Sequence, residues 1–191
     1  DLLYTSDTKF DENGVTRDLQ LLFKNPNIRN KTGSNNQSKS ENKLLTKLMY
    51  SLSYPLKKQG QIYDGFLKPN LSLRFSPNNT KNISNEDRRL ETNSINSINR
   101  LSMVDGVEGG QSLTAGFNYQ LKNKIGEEKI SLDLSQVIRD KANPDLPTSS
   151  TLNNKYSDII GKVKFDLFDN LNFEYDFMID NNLDKTNYNY I

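Results

Sequence analysis

Between positions 112 and 121 the chain alternates without a break. Leu113, Ala115, Phe117, Tyr119 and Leu121 are apolar, and Ser112, Thr114, Gly116, Asn118 and Gln120 are polar or small. Successive strand side chains point to opposite faces, so alternation of this length specifies a β-strand with one apolar and one polar face. The pattern recurs in Ile130, Leu132 and Leu134, in Ile159, Val163, Phe165 and Leu167, and in Leu171, Phe173, Tyr175, Phe177 and Ile179. Upstream it appears in Val15, Leu19, Leu21 and Phe23, in Leu48, Tyr50, Leu52, Tyr54 and Leu56, and in Leu71, Leu73 and Phe75. No segment carries a helical stripe. The spacing predicts strands over 2–8, 14–24, 44–56, 63–76, 112–122, 127–139, 156–168, 171–181 and 186–191.

The predicted connections alternate in length. Short ones cover 9–13, 57–62, 123–126 and 169–170, while long ones rich in Asn, Ser, Lys and Pro cover 25–43, 77–111 and 140–155. Short turns on one end and long loops on the other are the pattern of an outer-membrane β-barrel. The expected fold class is therefore all-β, an antiparallel meander forming part of a large transmembrane barrel. Composition agrees. Only 34% of residues are hydrophobic, yet nine Tyr and nine Phe are present. Such a chain is short of residues for a soluble core but suits a sheet with lipid on one face and a wet lumen on the other. Strand prolines Pro55 and Pro69 are expected near strand ends or bulges.

Other chemistries are excluded or weak. With 25 Lys plus Arg against 24 Asp plus Glu, no net charge drives nucleic-acid binding. The chain has no Cys and no His, so it forms no disulfide, no Ser-His-Asp triad and no imidazole metal site. Asp11, Asn13 and Gly14 echo a calcium loop, but Lys9 and Gln20 stand where carboxylates are required, so a turn with Gly14 at positive φ is expected. Asp166, Glu174, Asp176 and Asp180 share a polar strand face with Lys162 and Lys164, which reads as a wall of mixed charge rather than a catalytic pair. Arg88-Arg89 is too short for a nucleic-acid patch. Gly106, Gly109 and Gly110 lack the strand-turn-helix setting of a phosphate loop and read as a tight loop. No cofactor is expected. The chain begins at Asp1 without an apolar leader, so it is expected to be a mature or excised segment.

Several runs resemble the LptD family, the lipopolysaccharide-assembly barrels also called organic solvent tolerance proteins. They are Tyr54-Pro55-Leu56, Leu67-Lys68-Pro69-Asn70-Leu71-Ser72-Leu73-Arg74-Phe75-Ser76-Pro77-Asn78, Ile98-Asn99-Arg100-Leu101-Ser102, and Asp105-Gly106-Val107-Glu108-Gly109-Gly110. Ser112-Leu113-Thr114-Ala115-Gly116-Phe117-Asn118-Tyr119, Leu134-Ser135-Gln136 and Asn143-Pro144-Asp145-Leu146-Pro147 follow in order. The resemblance spans about 44–181, and Ser102-Met103-Val104 departs from it where the family more often has a glycine. It implies an outer-membrane translocon that inserts lipopolysaccharide into the outer leaflet without catalysis. Its partners would be lipopolysaccharide, an LptE-like lipoprotein plug, outer-membrane lipids and, through domains absent here, the periplasmic Lpt bridge. The whole of 1–191 would be an internal barrel segment with neither jelly roll nor signal peptide.

In that setting the expected lipid face includes Leu113, Phe117, Tyr119, Phe165, Phe173, Tyr175 and Phe177. The expected lumen face includes Ser112, Asn118, Asp133, Lys162, Lys164, Glu174 and Asp176. The last hairpin should pair Phe165 with Phe173, Val163 with Tyr175, Lys164 with Glu174 and Lys162 with Asp176. A three-residue loop, Phe168-Asp169-Asn170, should pair Leu167 with Leu171. The sheet should stay open at both edges. Rival readings are a porin or receptor barrel and a secreted β-sandwich adhesin, whose apolar faces would meet each other.

Overall fold

The computed structural model describes residues 1–32, 37–168 and 171–191, with the backbone alone over 27–32, 37–42 and 167–168. The strands are β1 (Leu2–Thr5), β2 (Lys9–Phe10), β3 (Thr16–Lys24), β4 (Asn27–Thr32), β5 (Gln37–Asn42), β6 (Leu45–Ser53) and β7 (Leu56–Gln59). They continue with β8 (Tyr63–Ser76), β9 (Gly110–Asn123), β10 (Glu128–Arg139), β11 (Ile159–Phe168), β12 (Leu171–Ile179) and β13 (Thr186–Tyr190). Eleven of them form one antiparallel sheet in the order β1-β3-β6-β8-β9-β10-β11-β12-β13, with β2 beside β3 and β7 beside β8. Strands β4 and β5 form a separate hairpin within the long connection 25–44. β1 and β13 lie at opposite ends of the path, so the sheet is open. Segments 25–44, 77–109, 140–158 and 180–185 leave the sheet at one end, and 6–15, 54–62 and 124–127 at the other. The expected division of long and short connections is present, although the turn 169–170 lies outside the described residues.

The register joins residues of like character across many strands. Leu67, Tyr119, Leu132, Val163 and Tyr175 form one continuous cross-strand row, and Pro69, Phe117, Leu134, Gly161 and Phe177 form the next. Gly161 leaves room for its neighbour: a Cβ there would stand 2.1 Å from the Phe177 ring. The last hairpin has the expected pairs Lys162↔Asp176, Val163↔Tyr175, Lys164↔Glu174 and Phe165↔Phe173. Its tip differs, because the register shifts between Asp166 and Phe168 and Phe168 pairs with Leu171. A bulge thus repairs the parity that a three-residue loop was expected to repair; both devices add one residue to one strand.

Three further differences have local causes. Strand β2 lies inside the expected turn 9–13, where Asp11 Oδ1 accepts from the Asn13 and Val15 amides at 2.9 and 3.0 Å. Gly14 takes φ +83°, so the tight turn leaves room for pairing on either side. Strand β7 runs from Leu56 into the expected turn 57–62, because Pro55 ends β6 and the chain resumes pairing with β8 one step later. Pro69 is in the interior of β8 rather than near its end. A strand residue directs its N–H and C=O to the same neighbour, and the Pro69 carbonyl accepts from Tyr54 at 3.1 Å. The missing Pro69 donor therefore faces the break between β6 and β7, where little pairing is lost.

The core lies on one side of the sheet only. Segments 77–109 and 140–158, called here the first and second straps, fold back over the polar face at its loop end. Their Ile83, Leu90, Ile95, Leu101, Met103, Leu146 and Leu152 pack with Val137, Ile160 and Met178 of the sheet. The straps are also tied to each other: the Ile83 amide donates to the Asp145 carbonyl at 2.8 Å, and the Arg88 amide to Ser149 Oγ at 3.1 Å. The opposite, apolar face is left uncovered, with Leu71 37%, Phe75 44% and Leu73 54% exposed.

Candidate functional site: the polar inner face

The polar face is built from the even positions of β8, β9, β11 and β12 and the odd positions of β6 and β10, as the registers require. Toward the turn end it carries an open ladder of charge. Lys162 Nζ lies 3.2 Å from Asp176 and bonds Glu174, and Lys164 Nζ lies 3.0 Å from Glu174. Asn118 Nδ2 donates to Asp133 Oδ1 at 2.7 Å, one strand pair further along. The chain's sequence-predicted polar residues are thus brought onto one face. Ser112 stands apart from the rest of that set: it is buried beneath the first strap and accepts from Arg100 Nη2 at 3.1 Å.

That burial belongs to a cluster not anticipated from the sequence. Glu108 of the first strap enters the sheet's inner face and is 5% exposed. Arg100 Nε donates to its Oε2 at 2.8 Å, Arg100 Nη2 and Arg139 Nη1 both bond Oε1, and Lys47 Nζ lies 4.0 Å away. Arg139 Nη2 also holds the Gly109 carbonyl at 2.8 Å. Beside them Arg74 reaches up to the strap, donating to the Ile95 and Ser97 carbonyls at 2.8 and 2.9 Å and to Thr114 Oγ1 at 2.6 Å. Burial by itself would raise the Glu108 carboxyl; the charges of Arg100, Lys47 and Arg139 and the Arg100 hydrogen bond outweigh it and hold the group well below the usual carboxylate range. The chain has 18 Lys and only seven Arg, and three of those seven converge here. Guanidinium offers five donors in a planar fork and so can hold a carboxylate and several carbonyls together where water is absent.

The signal for this hub lay in the runs quoted above. Arg74, Arg100 and Glu108 sit within them, but as single charges in polar contexts they carry no periodicity that marks them as buried. Gly109 and Gly110 complete the fit. A Cβ at Gly109 would stand 2.1 Å from the Asn78 carbonyl, and Gly110 takes φ +84° where the strap becomes β9. Ser102, in the stretch that departs from the family pattern, also takes a left-handed φ of +49°.

The registers place Leu113, Phe117, Tyr119, Phe165, Phe173, Tyr175 and Phe177 on the other face. The Phe165 and Phe173 rings lie 6.1 Å apart, and Tyr175 stacks on Phe177 at 5.5 Å. Among the described residues no second sheet covers this surface, which removes the geometry of a sandwich. An antiparallel meander with one uncovered apolar face, one polar face, and long and short connections at opposite ends defines a β-barrel wall of the outer-membrane type. The family model of LptD, LPS transport system D, matches residues 12–190, and the chain belongs to that family. No curated protein matches it. The family is one of outer-membrane transport and assembly proteins, with lipopolysaccharide as substrate and the Lpt pathway as its setting.

Proposed function

We propose that this chain forms part of the barrel wall through which lipopolysaccharide reaches the outer leaflet. The observation that carries the reading is the contrast between the two faces of one continuous sheet. The face of Leu113, Phe117, Tyr119, Phe165, Phe173, Tyr175 and Phe177 meets lipid. The face of Ser112, Asn118, Asp133, Lys162, Lys164, Glu174 and Asp176 meets the lumen, which accommodates the saccharide part of the substrate. An LptE-like lipoprotein occupies the lumen beside the straps, the loop end is extracellular, and the turn end faces the periplasm and the Lpt bridge.

The absence of native cysteine makes the test direct. Single cysteines along β9 in the full chain, in outer membranes, should react with a water-soluble maleimide at Asn118 and Gln120 and resist it at Phe117, Tyr119 and Leu121. Equal labelling of both sets would refute the placement. For the transport itself, depletion of the protein from cells should reduce lipopolysaccharide at the cell surface, and an unchanged surface level would end the reading.

A further inference from the structure

We propose that a crevice on the apolar face, between β7, β8 and β9 at the turn end, binds one glycerophospholipid with a net negative headgroup. Its phosphate sits on Lys58 and an acyl chain lies against Leu56 and Leu67. The registers set Leu56, Leu67 and Tyr119 side by side on this face, with Lys58 across from Gly65 one step nearer the turns. Together they line a crevice of about 280 Å³. Gly65 makes the opening. It puts no side chain between Lys58 and Leu121, and Tyr119 leans into the space, its hydroxyl 3.5 Å from where a Gly65 Cβ would stand. The phenol thus turns its polar end toward the turns, as aromatic residues do at the level of lipid headgroups.

Charge identifies the headgroup. Among the outward positions of β7, β8 and β9, Lys58 alone is charged. It is exposed, and its side chain has no ion pair or hydrogen bond among the described residues. Its neighbour Lys57, on the inner face, is by contrast engaged: it lies 3.4 Å from Asp64 and over the Phe66 ring at 5.3 Å. Lys124 of the next turn shares that carboxylate at 2.5 Å. Two lysines on one carboxylate add to the positive potential around Lys58 rather than cancelling it. An ammonium beside an apolar crevice, with a phenol at its mouth, offers a phosphodiester a counter-charge and a hydrogen-bond donor and offers the acyl chain a dry wall. A zwitterionic headgroup brings its own cation, which Lys58 repels. Free phosphate would gain the charge but not the wall. The inference rests on the barrel reading for lipid on this face, and on its orientation for the periplasmic leaflet as the source.

The test uses the full chain in detergent micelles, titrated with phosphatidylglycerol, phosphatidylcholine of the same chain length, or inorganic phosphate, with bound lipid counted by native mass spectrometry. One phosphatidylglycerol should be retained in preference to phosphatidylcholine, and inorganic phosphate should not displace it. Lys58→Gln, a change at an exposed side chain, should weaken that retention about five-fold. Lys58→Arg should keep it, and Lys57→Gln should leave it unchanged. Equal retention of the two lipids, displacement by phosphate, or retention untouched by Lys58→Gln would overturn the proposal. So would equal losses in the Lys57 and Lys58 variants, which would mark diffuse attraction rather than a site. Each of these results would leave the barrel placement standing, because cysteine labelling along β9 tests that separately.

Discussion

At the loop end of the inner face, Glu108 sits 5% exposed among Arg100, Arg139 and Lys47. Toward the turn end, Lys162 and Lys164 share Glu174 and Asp176, with between 22% and 47% of each side chain in solvent. Both regions pair cations with carboxylates, but the hub uses arginine where the ladder uses lysine, and only the hub lies under the strap. Water screens the open ladder, so its pairs contribute little and leave the wall wet and adaptable. Beneath the strap the charged groups are buried, and one carboxylate answers several cations, so each member of the hub depends on the others. The comparison teaches that one polar sheet face can be rigid where a loop covers it and compliant where none does.

The largest test of that contrast is Glu108→Gln. It leaves Arg100, Arg139 and Lys47 buried without their counter-charge, a loss of about 3–5 kcal/mol by analogy with other broken buried pairs. Denaturant unfolding in micelles should show this loss, and amide exchange over 95–109 should accelerate. A cost no larger than that of a ladder variant would erase the distinction between the two ends.

A smaller effect follows from pH. The folded Glu108 carboxyl titrates below its unfolded value of about 4.3. The unfolded chain therefore takes up the proton first, and the stabilisation is complete above about pH 5 and declines as pH falls toward the folded value. Strap protection in the unsubstituted chain should weaken on acidification from pH 5 to pH 3, and the Gln variant should lack that component. Protection that rises on acidification would contradict the sign.

The smallest effect belongs to the ladder. Lys164→Ala should cost about 1 kcal/mol or less. What it costs should vanish in about 1 M salt, where charges more than a few ångströms apart are screened, whereas the Glu108→Gln loss should persist. A salt-insensitive Lys164 contribution would place that pair out of water and shrink the contrast from the other side.

The strands were legible because alternation is a local property. Each residue of 113–121 announces its face by its own polarity, and the β11–β12 register follows from pairing like faces and opposite charges. What was not legible was where pairing is interrupted. Pro69 lies inside β8 because the break it faces is made by Pro55 between β6 and β7, and the bulge before Phe168 replaces a longer loop with the same parity. Among site residues, Asn118, Asp133, Lys162, Lys164, Glu174 and Asp176 could be assigned to one face by counting. Arg74, Arg100, Glu108 and Arg139 could not be joined by counting, because their meeting depends on the path of a 33-residue strap, 77–109, that has no period of its own.

The sequence by itself determined that this protein is an antiparallel sheet with two unlike faces and long connections at one end. Polarity alternating at the strand period has no other low-energy expression. Only the tertiary structure decided that the straps fold inward over the polar face, and that Ser112 is buried while Lys164 stays wet. Burial of a polar residue is set by what lies above it. Here that is a carboxylate and several backbone carbonyls brought from distant parts of the chain, whose bonds to the arginines offset the desolvation that would otherwise keep such charges at the surface.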